Sequence, residues 1–337
     1  MYVLIGHSSY LSIHTGIGGV TYTLPKETSA VYYSLPFLAV RRMAGWVYSF
    51  HMPLFFMLSG AVFALKPAGK ISSVIKSKTK RLLIPYFVYG WGFMFPVKFA
   101  GNFYNANTIA EAMMRFIYGG EAGHLWFLPA LFWCFLIFSV MHSFFAGNNM
   151  KCLIFSGVIS LLCVYVPGRD IFLGLKQGMN NIVWFSAGYV FETERKRFQS
   201  WNNKIILAVM AVFSILEIMN IIQYPYFLLK RGTAMHKFVS VILCSSLTYM
   251  LSVLCSRFFS KASDSKIWDV IVRNSFYVYI FHDPLEYIAL RIFMNGGFLT
   301  SGCGCIAYFL SRTAITFIIS ILLGETVRRI KCHLNFS

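Results

Sequence analysis

Trp46 to Leu65 is a run of twenty residues without Lys, Arg, Asp or Glu. A helix crossing a hydrocarbon core of about 30 Å needs roughly that many apolar residues. Comparable windows recur along the chain. Leu82 to Val97, Leu125 to Phe145, Cys152 to Gly168 and Phe238 to Ser256 carry no charge. Ile171 to Phe191 holds only Lys176, Ile205 to Ile222 only Glu217, and Cys303 to Leu323 only Arg312. Asn274 to Leu290 holds His282, Asp283 and Glu286. The windows are continuously apolar rather than alternating over ten residues, which fits helices better than a β-barrel. With 57% hydrophobic and 12% charged residues and a mean hydropathy of +0.63, the chain has the balance of a membrane protein.

The start, "MYVLIGHSSYLSI", is apolar for five residues before Gly6 and then polar. It has neither the basic leader nor the apolar length of a secretory signal. It reads as the second half of a transmembrane helix whose first half is missing. Counted as a span, it brings the expectation to an all-α polytopic bundle of about ten transmembrane helices. No linker-like shift divides the chain, so residues 1–337 are expected to form a single integral-membrane domain.

Running that first fragment outward fixes the side of every loop and puts eighteen of the thirty Lys and Arg on the cytoplasmic side. The densest loop carries Lys66, Lys70, Lys76, Lys78, Lys80 and Arg81 with no acid. The net charge of +18 therefore calls for no nucleic acid. Such cations serve topology and contact with anionic membrane lipid. At a helix entrance they equally suit a phosphate-rich ligand, which guanidinium and ammonium groups bind through charge-assisted bonds. The eight cysteines are scattered without zinc-ligand spacing, and no metal site is expected. No phosphate-binding loop, dinucleotide fingerprint or nucleophile elbow occurs.

What remains is polar side chains within apolar spans, where they are costly and mark functional candidates. His7, His51, His124 and His282 are four such imidazoles. The window boundaries place His51 a turn or two inside the outer end of its helix and His282 near mid-depth, with Arg81 at the inner face. Arg312, sixteen residues or about 24 Å from Arg328, is expected to snorkel to the outer interface. Glycines such as Gly60, Gly90 and Gly92 are expected to let neighbouring helices approach.

Five segments in order, "GHSS", "FHMPLFFMLSG", "KTKRLLIPYF", "HLWFLPALF" and "NSFYVYIFHDPLEY", resemble the integral-membrane acyltransferase family 3. The resemblance spans nearly the whole chain. It implies a multi-pass protein of the cell (inner) membrane that uses a cytoplasmic acyl-CoA, usually acetyl-CoA, as co-substrate. The acyl group goes to a hydroxyl of a surface glycan or its lipid-linked precursor, and no permanently bound cofactor is implied. It also implies that His7 is catalytic and that His51 and the pair Lys78 and Arg81 belong to the same pattern. The family commonly has arginine where Lys78 stands, and lysine lacks arginine's planar two-pronged contact.

The chemistry fits these residues. A sugar hydroxyl attacking a thioester needs a base, and imidazole, with an unperturbed pKa of about 6.5, suits that task. His7 can act as that base or carry the acyl group itself. Ser8, Ser9 and Ser59 are alternative carriers or simply helix contacts. His51 or Trp126 can donate to the developing oxyanion, and Trp126 equally fits an interfacial belt. His124, Trp126, His282 and Asp283 form the candidate set for acceptor binding or support. Asp283 can orient an imidazole or bind sugar hydroxyls, or with Glu286 mark the outer rim of its helix. Two other classes compete: a secondary transporter whose histidines relay protons, and an inactive relative serving a polysaccharide export complex. Replacing His7 or His51 by alanine is expected to abolish glycan acetylation while the protein still accumulates in the membrane. Full activity in both variants removes them from the mechanism.

Overall fold

The computed structural model describes residues 2–8, 13–14, 17, 19–20, 33–65, 69–168, 171–221, 234–258, 265–295 and 301–334. Ser9 and Lys66 lie outside the described residues. Apart from a two-residue antiparallel pairing of Ile13–His14 with Gly19–Val20, the regular structure is helical. The elements are α1 (Tyr2–Ser8), α2 (Leu35–Ala64), α3 (Ile71–Ala100), α4 (Ile109–Ile117), α5 (Gly123–Phe144) and α6 (Asn149–Leu162). They continue with α7 (Leu175–Thr193), α8 (Arg195–Gln199), α9 (Asn203–Ile221), α10 (Ala234–Phe258), α11 (Lys266–Asn295) and α12 (Gly302–Leu334).

Six of the described helices, α2, α3, α5, α9, α10 and α12, are long and apolar enough to cross a membrane, so this is a polytopic helical membrane protein. The other expected spans fall on elements of different character. α1 has seven residues and α6 fourteen. α7 carries Lys176 and Gln177 in its first turn, and α11 carries His282, Asp283 and Glu286 at mid-length.

Several helices begin earlier than the charge-free windows suggest. α2 starts at Leu35, so His51 is the seventeenth of its thirty residues rather than a turn or two from its end. Arg41 and Arg42 close a hydropathy window but do not interrupt a helix. α3 likewise starts at Ile71, which puts Lys78 and Arg81 beyond its second turn rather than at its opening. Here the ladder widens to a π-helical segment over Thr79–Leu83, and again over Gly90–Met94. Such turns often mark functional positions.

The chain divides into two compact units. The first comprises Met1–Val47, Pro85–Leu125 and Ser263–Ser337. Within it α11 lies along α12, and α1 packs on both. Gly324 lets the two long helices approach: a Cβ there would lie 2.8 Å from Asn274 Oδ1 and Tyr277 Cβ. The Tyr86 ring stacks on Phe116 at 4.0 Å and its hydroxyl donates to the Phe116 carbonyl at 2.6 Å, pinning α4 on α3.

The second unit comprises Tyr48–Ile84 and Trp126–Ala262. α7 packs between α5 and α6, and α9 pairs with α10. Gly60 of α2 faces the Phe185 carbonyl of α7, and Gly188 of α7 faces the Met57 carbonyl of α2, so a Cβ on either would overlap backbone. Dispersion and close backbone contact hold helices together where there is no aqueous hydrophobic drive, and small residues permit it. Gly90 meets the Phe116 ring in the same way, whereas Gly92 has open space around it and plays no such part. Gly188→Val is therefore expected to cost about 1–3 kcal/mol or more through overpacking and to lower the thermal midpoint in detergent. Gly92→Ala should leave that midpoint unchanged; equal effects of the two would contradict the crossing.

Candidate active site

The site in the first unit is built on the "HDPLE" segment of α11. Pro284 has no N–H, so the carbonyl four residues earlier, Ile280, lacks its helical donor. His124 supplies one: its Nε2 lies 2.8 Å from Ile280 O. The other ring nitrogen of His124, Nδ1, is 3.1 Å from Asp283 Oδ2. Both nitrogens thus face acceptors within the protein, and none is left to meet a substrate. His124 is brought there by Gly123, whose φ of +53° is a left-handed conformation suited to glycine and whose missing side chain leaves room. A Cβ there would stand 3.0 Å from Lys98 Nζ and 3.6 Å from Asp283 Oδ2.

Asp283 is 1% exposed, and its two oxygens are divided among three partners. Oδ1 accepts from His7 Nδ1 at 2.7 Å. Oδ2 faces His124 Nδ1 and, at 3.7 Å, the buried ammonium of Lys98. The Lys98 ammonium lies 4.7 Å from the Tyr287 ring centroid and 5.1 Å from that of Phe103. These aromatic faces and the carboxylate take the place of water around a buried cation. With Asp283 ionised, the proton of His7 sits on Nδ1, and Nε2 of the neutral ring is its basic nitrogen.

The third imidazole completes the cluster. His282 Nδ1 lies 2.7 Å from Tyr279 O and 3.1 Å from Val278 O, so it carries the proton and donates to the helix backbone. Its Nε2 is buried and has no hydrogen-bond partner among the described residues. The ring meets His7 edge-on at 4.8 Å and His124 at 5.0 Å.

One turn along α11, Glu286 is 1% exposed and holds the end of α1. It accepts from Ser8 Oγ at 2.8 Å and pairs with Arg312 Nε at 3.1 Å. Arg312 NH1 donates to the Ser8 carbonyl and to Tyr308 Oη, both at 2.9 Å. Arg312, expected at the outer interface, is fully buried instead. The long route to its helix end does not matter once α1 and α11 pack over it and supply the counter-charge. Asp283 and Glu286 are likewise interior groups, not a rim. Ser8 Oγ is occupied as a donor to Glu286, which is the contact role rather than the acyl-carrier role.

The remaining expected residues lie in the second unit. His51 is 2% exposed, with its ring edge-on to Tyr48 at 4.9 Å. Lys78 is half-buried and its ammonium lies 3.5 Å from the Phe135 centroid, while Arg81 is exposed. Trp126 ends the 3₁₀ turn at the start of α5 and packs at 6.2 Å against Phe56. Lys98 was not legible as a site residue. Its one signal is its place as a lone cation in the aromatic run "GFMFPVKFAGNFY".

These features define a polytopic membrane protein with a buried imidazole–carboxylate centre fed by cations. The sequence profile of the acyltransferase 3 domain matches residues 1–325, and the chain belongs to that family of membrane acyltransferases. No curated protein and no solved structure matches the chain.

The ion pair of Glu286 with Arg312 gives a stability test. Removing one partner of a buried pair leaves the other uncompensated and typically costs about 3–5 kcal/mol. Arg312→Met should lower the thermal midpoint sharply, and adding Glu286→Gln to it should recover part of the loss. A double variant worse than the single one by the full cost of Glu286→Gln alone would show that the two groups do not interact.

Proposed function

We propose that this acyltransferase moves an acyl group, acetyl in the simplest case, from acyl-CoA to a hydroxyl of a surface glycan or its lipid-linked precursor in the cell membrane. The observation that carries this reading is the buried His7–Asp283 pair at 2.7 Å. A carboxylate on Nδ1 fixes the ring and its tautomer and stabilises the imidazolium that forms when Nε2 takes a proton.

The acceptor hydroxyl gives its proton to His7 Nε2 as its oxygen bonds to the thioester carbonyl carbon. The carbonyl electrons move to oxygen, then return as the carbon–sulfur bond breaks. The departing thiolate takes the proton back from His7, leaving an ester, free coenzyme A and a neutral imidazole. Lys98 offsets the Asp283 charge while the His7 imidazole is neutral, so the centre is not left with an uncompensated anion in an apolar bundle. Lys78 and Arg81 are assigned to the phosphates of coenzyme A, which fits their charge and their place at the start of and within a π-helical segment.

Membranes supplied with acetyl-CoA labelled in the acetyl group should pass label to glycan. Asp283→Asn, which keeps the shape but not the charge, should reduce that transfer by about a hundredfold or more while leaving the protein in the membrane. Undiminished transfer in Asp283→Asn, or label that never leaves coenzyme A in the wild type, would overturn the reading.

A further inference from the structure

The second unit contains a cavity of about 250 Å³ between α2, α7 and α10 that acyl transfer at His7 does not use. Its wall is largely apolar, with Met57 and Ala61 from α2, Gly188 and Phe191 from α7 and Tyr249 from α10. Polar groups interrupt it: Ser245, Ser246, Thr248 and Ser252 from α10, and the ion-paired Glu192 and Arg195 at and just beyond the end of α7. Ser245 lines the cavity from α10, is 3% exposed, and its hydroxyl has no hydrogen-bond partner among the described residues. A helical serine ordinarily donates to a carbonyl of its own helix, as Thr248 does to Cys244 O at 2.8 Å and Ser252 to Tyr249 O at 2.7 Å. An unpaired buried hydroxyl is unfavourable, and a ligand hydrogen-bonding group would relieve it.

Arg195 is the first residue of α8, just past the C-terminal end of α7. It uses NH1 on Glu192 at 3.1 Å and leans over the Tyr249 ring at 5.9 Å. Its remaining N–H groups make no hydrogen bond among the described residues. Locally, Arg195, Lys196 and Arg197 stand against Glu192 and Glu194, an excess of one positive charge. Tyr249 and Ser245 are one helical turn apart, about 6 Å along α10. A cation at the mouth, a hydroxyl acceptor-seeker one turn deeper and an apolar wall beyond match the order of groups in a glycerolipid: phosphate, ester carbonyl, chain.

We propose that this groove binds one anionic glycerophospholipid, with its phosphate on Arg195, an ester carbonyl on Ser245 and an acyl chain along Met57 and Ala61. The site is independent of the acyl-transfer reading and stands or falls on lipid retention alone. The full chain is placed in nanodiscs of phosphatidylcholine doped with phosphatidylglycerol, released into detergent, and its bound lipid counted by native mass spectrometry. One phosphatidylglycerol should be retained in preference to phosphatidylcholine. Arg195→Gln should lower that preference about fivefold, the worth of one cation at a lipid headgroup. Ala61→Phe, which fills the groove, should abolish retention while thermal unfolding stays cooperative. Equal retention of the two lipids by the wild type, or retention unchanged in both variants, would overturn the proposal. So would one-for-one displacement of phosphatidylglycerol by palmitoyl-CoA, which would assign the groove to the acyl donor.

Discussion

A single buried carboxylate, Asp283, ties together parts of the chain that are remote in sequence. His7 comes from α1, Lys98 from α3, His124 from the turn that opens α5, and Asp283 itself from α11. An ionised carboxylate in an apolar bundle is tolerated only when several donors surround it, so its burial and the placement of these elements are one requirement, not two. The same carboxylate leaves His7 with its basic nitrogen opposite the bond that holds it. Structural stability and readiness for proton transfer thus come from the same contact.

The neighbouring pair follows the same logic one helical turn away. Residues three apart on a helix share a face, so Asp283 and Glu286 both point into the first unit. Each meets a different cation: Lys98 for the former, Arg312 for the latter. Division of the charges keeps the interior near neutrality and lets Glu286 and Arg312 clamp Ser8, the residue after His7. Pro284, between the two acids, frees the carbonyl on which His124 rests. In this segment a helix irregularity, two acids and two imidazoles are interdependent, which accounts for why "HDPLE" stands out from an otherwise apolar run.

Much of this was legible in the residues. Charge-free windows disclose helices, and polar side chains left inside them disclose His7, His51, His124, His282 and Asp283 as candidates, because the cost of burying them demands a reason. Two kinds of information were not legible. Helix ends were misplaced where Arg41, Arg42 or Arg81 closed an apolar window, because a charge ends hydropathy without ending the hydrogen-bond ladder. Pairing was also hidden. Helical periodicity says which face a residue occupies but not what lies opposite, so Arg312 read as a snorkelling cation and Lys98 did not stand out. Each is buried through a partner remote along the chain, Glu286 for Arg312 and Asp283 for Lys98.

The bond between His7 and Asp283 can be observed without any assay of acyl transfer. With histidine ring nitrogens isotopically labelled in the full chain, the Nδ1 proton of His7, assigned by loss of its signal in His7→Gln, should resonate far downfield as a strong hydrogen bond to a carboxylate. Asp283→Asn should move that resonance upfield, whereas Arg273→Gln, remote from the centre, should leave it in place. A His7 proton without the downfield position, or one indifferent to Asp283→Asn, would contradict the pairing on which the site is built.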